Sequence, residues 1–230
     1  MRITRAATIV HKWLALLMAV QILLWMASGL FFAVFPIEEV RSEHRIADHA
    51  AEPVPLGVSA AGLQRLAATG MAGETVEIAM RQGTPVARVT ADGKTRVFDL
   101  ATAKPLSAID AAEARAIASA ETAGHPKAAA SRRITRETTE YRGALPAWRV
   151  DFADGYSVYV AADTGKVTAR RSDLWRAYDL LWALHIMDYE AHEDFNTPLL
   201  IAAAVLGLVV VLSGIVMLPS RFGIRLRRAS

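Results

Sequence analysis

Residues 14–35 read LALLMAVQILLWMASGLFFAVF: 22 residues without a charge, interrupted only by Gln21 and Ser28. A helix needs about 20 apolar residues to cross the hydrocarbon of a bilayer, so this stretch is long enough to span it. Near the other end, residues 199–218 read LLIAAAVLGLVVVLSGIVML, again uncharged, with Ser213 as the polar interruption. Between the two blocks the composition changes to charged and alternating sequence. The chain is 53% hydrophobic and 21% charged, and this division into blocks reconciles the two figures. The pattern predicts a two-span membrane protein with a domain held between the spans.

The flanks orient it. Arg2, Arg5 and Lys12 precede the first block, and Arg221, Arg225, Arg227 and Arg228 follow the second. The positive-inside rule places both ends in the cytoplasm and the central domain in the periplasm of a bacterial inner membrane. The rival reading of the first block is a cleaved signal peptide. Against it stand an apolar run longer than the roughly 7–15 residues usual for such a segment and the lack of a clear A-x-A site. The net charge of +3 resides largely in the cytoplasmic flanks, which suits a lipid surface and gives no reason to expect nucleic acid. The chain has no cysteine. Disulfides, thiolate metal sites, iron–sulfur clusters and covalent c-type haem are therefore excluded.

The central region reads as a tandem repeat. Helical spacing over residues 59–69 is followed by three strand-like runs, 75–80, 85–90 and 95–100, with Gln82-Gly83 and Asp92-Gly93 as the turns. An alanine-rich helix over 111–122 and further strands, including 148–152 and 156–161, repeat the pattern. At an offset of 62, Asp92-Gly93 meets Asp154-Gly155, Thr102 meets Thr164 and Lys104 meets Lys166 without a gap. The fold class expected is thus membrane α-helical (two transmembrane helices) plus a periplasmic α+β domain of two helix and antiparallel-sheet repeats. The boundaries are 1–12 cytoplasmic, 13–36 first span, 37–55 juxtamembrane, 56–106 first repeat, 107–172 second repeat, 173–194 amphipathic interfacial helix, 195–219 second span and 220–230 basic tail.

Two helix-plus-hairpin units, each ending in a T-x-K turn, resemble PepSY domains, and the flanking spans resemble the PepSY-associated transmembrane family. The first span opens with His11-Lys12-Trp13-Leu14 and ends with Ser28-Gly29-Leu30; the second follows Leu184-His185 and contains Ser213-Gly214-Ile215. These match the family's H-x-W-L start, its L-H-x-G-like element before a span and its S-G pairs near span ends. One departure stands out: Leu184-His185 is followed by Ile186-Met187 where the family more usually has a small residue. Larger four-span members look like a fused pair of this unit, and the resemblance implies a haem-containing ferric reductase.

Six histidines are available to hold a cofactor. His11, at the cytoplasmic edge of the first span, reads either as an interfacial side chain beside Lys12 or as an axial ligand of haem b. His185 lies with Leu174, Tyr178, Leu181, Trp182 and Tyr189 on one helical face, suited to packing or to a haem edge. His192, seven residues on, falls on nearly the same face and is a further cofactor candidate. His11 and His185 sit at opposite membrane faces and cannot hold one haem together. A homodimer answers this, with each histidine paired to its symmetry mate and two haems per dimer. Acidic and histidine-bearing segments at the outer junctions, Glu38, Glu39, His44 and His49 on one side and Glu190, Glu193 and Asp194 on the other, suit ferric iron as substrate. The alternatives are a non-enzymatic PepSY regulatory or binding protein and an accessory subunit of a respiratory or metal-uptake complex. No nicotinamide or flavin motif is present, so the electron donor is expected to be a cytoplasmic partner or quinol.

Overall fold

The computed structural model describes residues 2–48, 53–70 and 75–222. The chain divides into two compact units, residues 1–36 with 177–230 and residues 37–176. His49 and residues 223–230, which carry Arg225, Arg227 and Arg228, lie outside the described residues.

The first unit is built on two long helices, α1 (Arg2–Val34) and α6 (Pro198–Arg221). Within them Arg5–Val34 and Pro198–Pro219 are long and apolar enough to cross a bilayer. Only 11% and 17% of their most apolar windows are buried, whereas the core helix of a water-soluble domain is mostly buried. α1 begins well before residue 13 and so takes in His11. It ends ahead of Pro36, which cannot continue a helix. Thr197 caps α6, its Oγ accepting from Leu200 N at 3.2 Å, with Pro198 in the first turn. Met18, Ala203 and Val210 form the buried seam between α1 and α6.

The second unit contains α2 (Ile37–Val40), a 3₁₀ turn (Glu43–Arg45) and the two repeats. The first repeat is α3 (Leu56–Ala68) with a sheet of β1 (Thr75–Arg81), β2 (Thr84–Ala91) and β3 (Lys94–Asp99). The second is α4 (Ala111–Ala120) with β4 (Ala130–Ile134), β5 (Ala147–Asp151), β6 (Ser157–Ala161) and β7 (Val167–Arg171), antiparallel in that order. Gln82-Gly83 and Asp92-Gly93 all have φ between 49° and 76°, the left-handed pair that two-residue hairpins of this twist require. α4 is capped by Asp110, whose carboxylate accepts from Glu113 N at 2.8 Å. A further helix, α5 (Asp173–Ile186), starts in this unit and ends in the first.

The duplication is legible in hydrogen bonds. Asp99 N donates to Lys104 O at 3.0 Å, and at an offset of 62 Ala161 N donates to Lys166 O at 2.9 Å. Ala103 and Gly165, equivalent in this turn, are both left-handed, at φ 53° and 68°. The isolated bridge Phe98↔Pro105 matches Val160↔Val167, the start of the β6–β7 pairing. In the first repeat this last strand is reduced to one bridge, because Pro105 has no N–H to extend a ladder. Each repeat has its own core. One is Leu66, Ala87, Val89, Phe98 and Leu100; the other centres on Ile117, Val150, Tyr156, Val158 and Val160. In the second repeat Glu140 accepts from Arg149, Arg176 and Tyr159 together. These partners hold its carboxyl below the usual carboxylate range against the cost of burial, and burial with the Glu140 charge pushes Tyr159 up to about 12.

Two glycines of α3 make opposite demands. A Cβ at Gly62 would fall 2.9 Å from Leu100 O, whereas one at Gly57 meets nothing within 4 Å. Gly62→Ala is expected to lower domain stability by about 1–3 kcal/mol through overpacking. Gly57→Ala should leave it unchanged or raise it by up to about 1 kcal/mol. Urea unfolding of the detergent-solubilised chain, read by far-UV circular dichroism, checks both signs. A second expectation concerns pH. The lowered Glu140 carboxyl contributes stability above its unfolded value of 4.5, and that contribution is lost as pH falls through the folded value. Glu140→Gln should therefore flatten the acid limb of the stability profile.

Candidate functional site

Imidazole has two ring nitrogens, and what holds one decides the state of the other. His11 Nδ1 lies 3.0 Å from the carbonyl oxygen of Val210 and 3.1 Å from Ser213 Oγ. A carbonyl only accepts, so Nδ1 must carry the proton, and in the neutral ring Nε2 keeps its lone pair. Ser213 spends its own proton on Val210 O at 2.9 Å. His185 reaches the same state by another route. Its Nδ1 is 2.7 Å from Ser28 Oγ, while that hydroxyl donates to Leu24 O at 2.6 Å. With the serine proton committed, His185 Nδ1 is the donor, and Nε2 again has the lone pair. Neither Nε2 has a hydrogen-bond partner among the described residues.

The surroundings are apolar and aromatic. Trp182 stacks on His185 at 6.5 Å between ring centres and 9° between planes, and Phe32 meets it edge-on at 5.6 Å. His185 lies outside both spans, and desolvation lowers its pKa below the ordinary imidazole value, which favours the neutral ring. Around His11 the close neighbour is Gly214, where a Cβ would come 3.3 Å from His11 Cε1. The S-G pairs noted in the sequence thus acquire distinct partners: Ser28 holds His185, and Ser213-Gly214 seats His11. Two other residues of α1 serve the end of α5. Gln21 Nε2 donates to Leu184 O at 3.3 Å and Trp25 Nε1 donates to His185 O at 2.8 Å. They satisfy carbonyls that the last turn of any helix leaves without an internal partner.

The two histidines are not brought together. His11 and the Ser28 that holds His185 are 17 residues apart on α1, about 25 Å at 1.5 Å per residue. His192 requires a correction. It does not continue the face of His185, because the helix expected over 173–194 ends at Ile186. Met187 turns left-handed at φ 55°, in the position where the family pattern has a small residue. Asp188 then accepts from the backbone N–H groups of Glu190, Ala191, Glu193 and Asp194, winding residues 188–194 into a loop around its carboxylate. These four donors hold the Asp188 carboxyl far below the usual carboxylate range. His192, at φ 59°, faces Asp179, with Nδ1 2.7 Å from Oδ2.

Glu190, Glu193 and Asp194 are exposed on that loop. Glu38, Glu39 and His44 are exposed on α2 and the 3₁₀ turn in the other unit. Among the described residues no group of three or more His, Asp or Glu side chains converges to hold a metal ion. The residues that sequence reading left without a role are Ser28, Ser213, Gln21, Asp179 and Asp188. The first three were visible as the polar interruptions of otherwise apolar spans. Asp179 and Asp188 carried no signal, since each acts through a turn whose geometry depends on Met187.

A protein-family model described as the PepSY-associated TM region matches residues 8–230. No curated protein and no solved structure matches the chain.

Nitrogen-15 spectra of histidine-labelled protein in detergent check the tautomers. His185 is expected to show a protonated Nδ1 and an unprotonated Nε2 at neutral pH. Ser28→Ala, which removes the acceptor, should shift the ring toward the Nε2–H form. A wild-type ring already in the Nε2–H form would contradict the assignment.

Proposed function

This chain belongs to the PepSY-associated TM family, and from that premise we propose that it is a haem-b protein of the bacterial inner membrane, working as a homodimer, that passes electrons outward to reduce ferric iron. What carries the reading is the pair of imidazoles, His11 and His185, each fixed by a serine with Nε2 unprotonated and, among the described residues, without a partner. A neutral imidazole whose other nitrogen donates to a protein oxygen is the form in which histidine serves as an axial ligand. With no cysteine, the group would be held by its axial ligands and by packing alone. Haem, when bound, supplies a one-electron carrier whose potential depends on its ligands and surroundings.

The rest of the work falls to the chain. Ser213 and Val210 O set the ring of His11, Ser28 sets the ring of His185, and Phe32 and Trp182 line the latter with apolar surface. His11 and His185 stand apart on one chain, so a haem held by two imidazoles would take the same histidine from a second copy. A two-fold axis would pair His11 with its mate and His185 with its mate, for two haems per dimer. The exposed side chains of Leu16, Val20, Leu23 and Leu30 on α1 give such a partner, or lipid, a continuous apolar stripe. The basic flanks support a reading with both termini in the cytoplasm, and the electron then comes from a cytoplasmic partner or from the quinol pool of the membrane. On the periplasmic side Fe³⁺ takes up one electron and leaves as Fe²⁺. Glu38, Glu39, His44, His49, Glu190, Glu193 and Asp194 enter this reading as surface groups that attract the ferric ion, not as a preformed cage. His192 is left outside the axial pair.

The test is spectroscopic and kinetic. Dithionite-reduced protein, mixed anaerobically with ferric citrate, should be reoxidised with formation of ferrous iron, and His192→Ala should behave like wild type. His11→Ala and His185→Ala should each lose about half of the haem absorbance, as two separate symmetric sites require. Loss in only one of these variants would overturn the two-haem dimer. Full retention in both would remove the ligand assignment, and failure to reoxidise would remove ferric iron as acceptor.

A further inference from the structure

The two repeats enclose a cleft of about 870 Å³, within the range of small-molecule sites. Its walls are β1, the C-terminal end of α4 and the start of β7, all in the unit of residues 37–176. Four cations line it, Arg81, Arg88, Lys166 and Arg170, against two acids, Glu77 and Glu121, so the lining is net positive. Between the charges stand apolar side chains, among them Ile78, Met80, Ile117 and Val167.

Two guanidinium donors of residues that line this cleft, Arg81 Nη1 and Arg170 Nε, are buried without a hydrogen-bond partner among the described residues. Arg81 is 9% exposed, and its Nε and Nη2 grip Glu113 at 2.7 and 2.9 Å. Its third nitrogen, Nη1, is the one left over. A buried guanidinium N–H left unpaired costs free energy, and folded proteins rarely leave one so. The other cations are tied more loosely. Arg88 Nη1 sits 3.3 Å from Glu77 and Arg170 Nη2 sits 3.4 Å from Glu121. Lys166, more than half exposed, shares the same Glu77 at 2.9 Å. Glu77 thus neutralises two cations from the mouth of the cleft, and its carboxyl is held below the usual range mainly by Lys166.

We propose that this cleft binds a small polycarboxylate, with its carboxylates facing Lys166 and Arg88 and the guanidinium groups of Arg81 and Arg170 adding positive charge to the lining. An oxyanion balances that lining charge. A carboxylate on a carbon skeleton also covers the apolar walls, which inorganic phosphate does not. The site is separate from the two histidines and stands independently of haem.

Calorimetric titration of citrate into the full chain in detergent at low ionic strength tests this, with inorganic phosphate titrated in parallel. Citrate should bind at one site per chain and at least tenfold more tightly than phosphate. Lys166→Gln, at an exposed position that does not threaten folding, should weaken citrate several-fold. Glu77→Gln, which frees Arg88 and Lys166, should tighten it several-fold. Absence of citrate binding, equal affinity for phosphate, or indifference to both substitutions would overturn the proposal. Haem content is not read in this assay, so its failure leaves the reductase reading untouched, and the reverse also holds.

Discussion

An imidazole packed among apolar side chains needs an acceptor for its N–H, because those side chains offer none. Here the acceptors are a backbone carbonyl and two serines, and they fix much else. Ser213 and Val210 O bind α6 to α1 through His11. Ser28 binds the end of α5 to α1 through His185, and Gln21 and Trp25 of α1 finish the same turn by taking its free carbonyls. The three polar side chains that interrupt the two apolar stretches are therefore all committed to histidine-bearing segments. The outcome at each site is the same: Nδ1 is used up and Nε2 has no partner among the described residues. Such an arrangement suits a ligand histidine, whose tautomer and ring orientation are then settled before a metal arrives.

The end of α5 shows how the sequence departs from its family and still reaches the geometry. A small residue would enter the left-handed conformation after Ile186 without strain. Met187 does so at φ 55°, and its side chain packs against the Met18, Ala203 and Val210 seam. Burial of the methionine offsets the backbone cost, and four N–H groups closing on Asp188 lock the chain reversal. That reversal brings the chain back to the Thr197 cap of α6. His192 is carried away from the face of His185 by the same turn.

Much of the fold was readable from residues alone. The two apolar stretches, the helix-then-strands pattern and the offset of 62 all reappear as elements, down to matching turn hydrogen bonds at Lys104 and Lys166. These signals are local: apolar length, period-two alternation and turn residues with restricted backbone geometry. What escaped was non-local. Continuing α5 through residue 194 was reasonable from periodicity, since Tyr189 and His192 keep the helical spacing, but Asp188 competes for the backbone N–H groups and wins. The pairing of each histidine with a serine on another helix is invisible to spacing, although Ser28-Gly29 and Ser213-Gly214 stood out as motifs. The cleft between the repeats depends on Arg81, Arg88 and Lys166 meeting across two sheets, which no linear pattern reports.

The central claim is that His11 and His185 present open Nε2 atoms for iron in a symmetric pair of chains. The most direct measurement is haem quantification, with low-temperature electron paramagnetic resonance, on protein purified from haem-replete cells. Bis-histidine sites in a dimer predict about one haem b per chain, in a low-spin ferric state. Protein purified intact without haem, or with a high-spin five-coordinate iron, would contradict it.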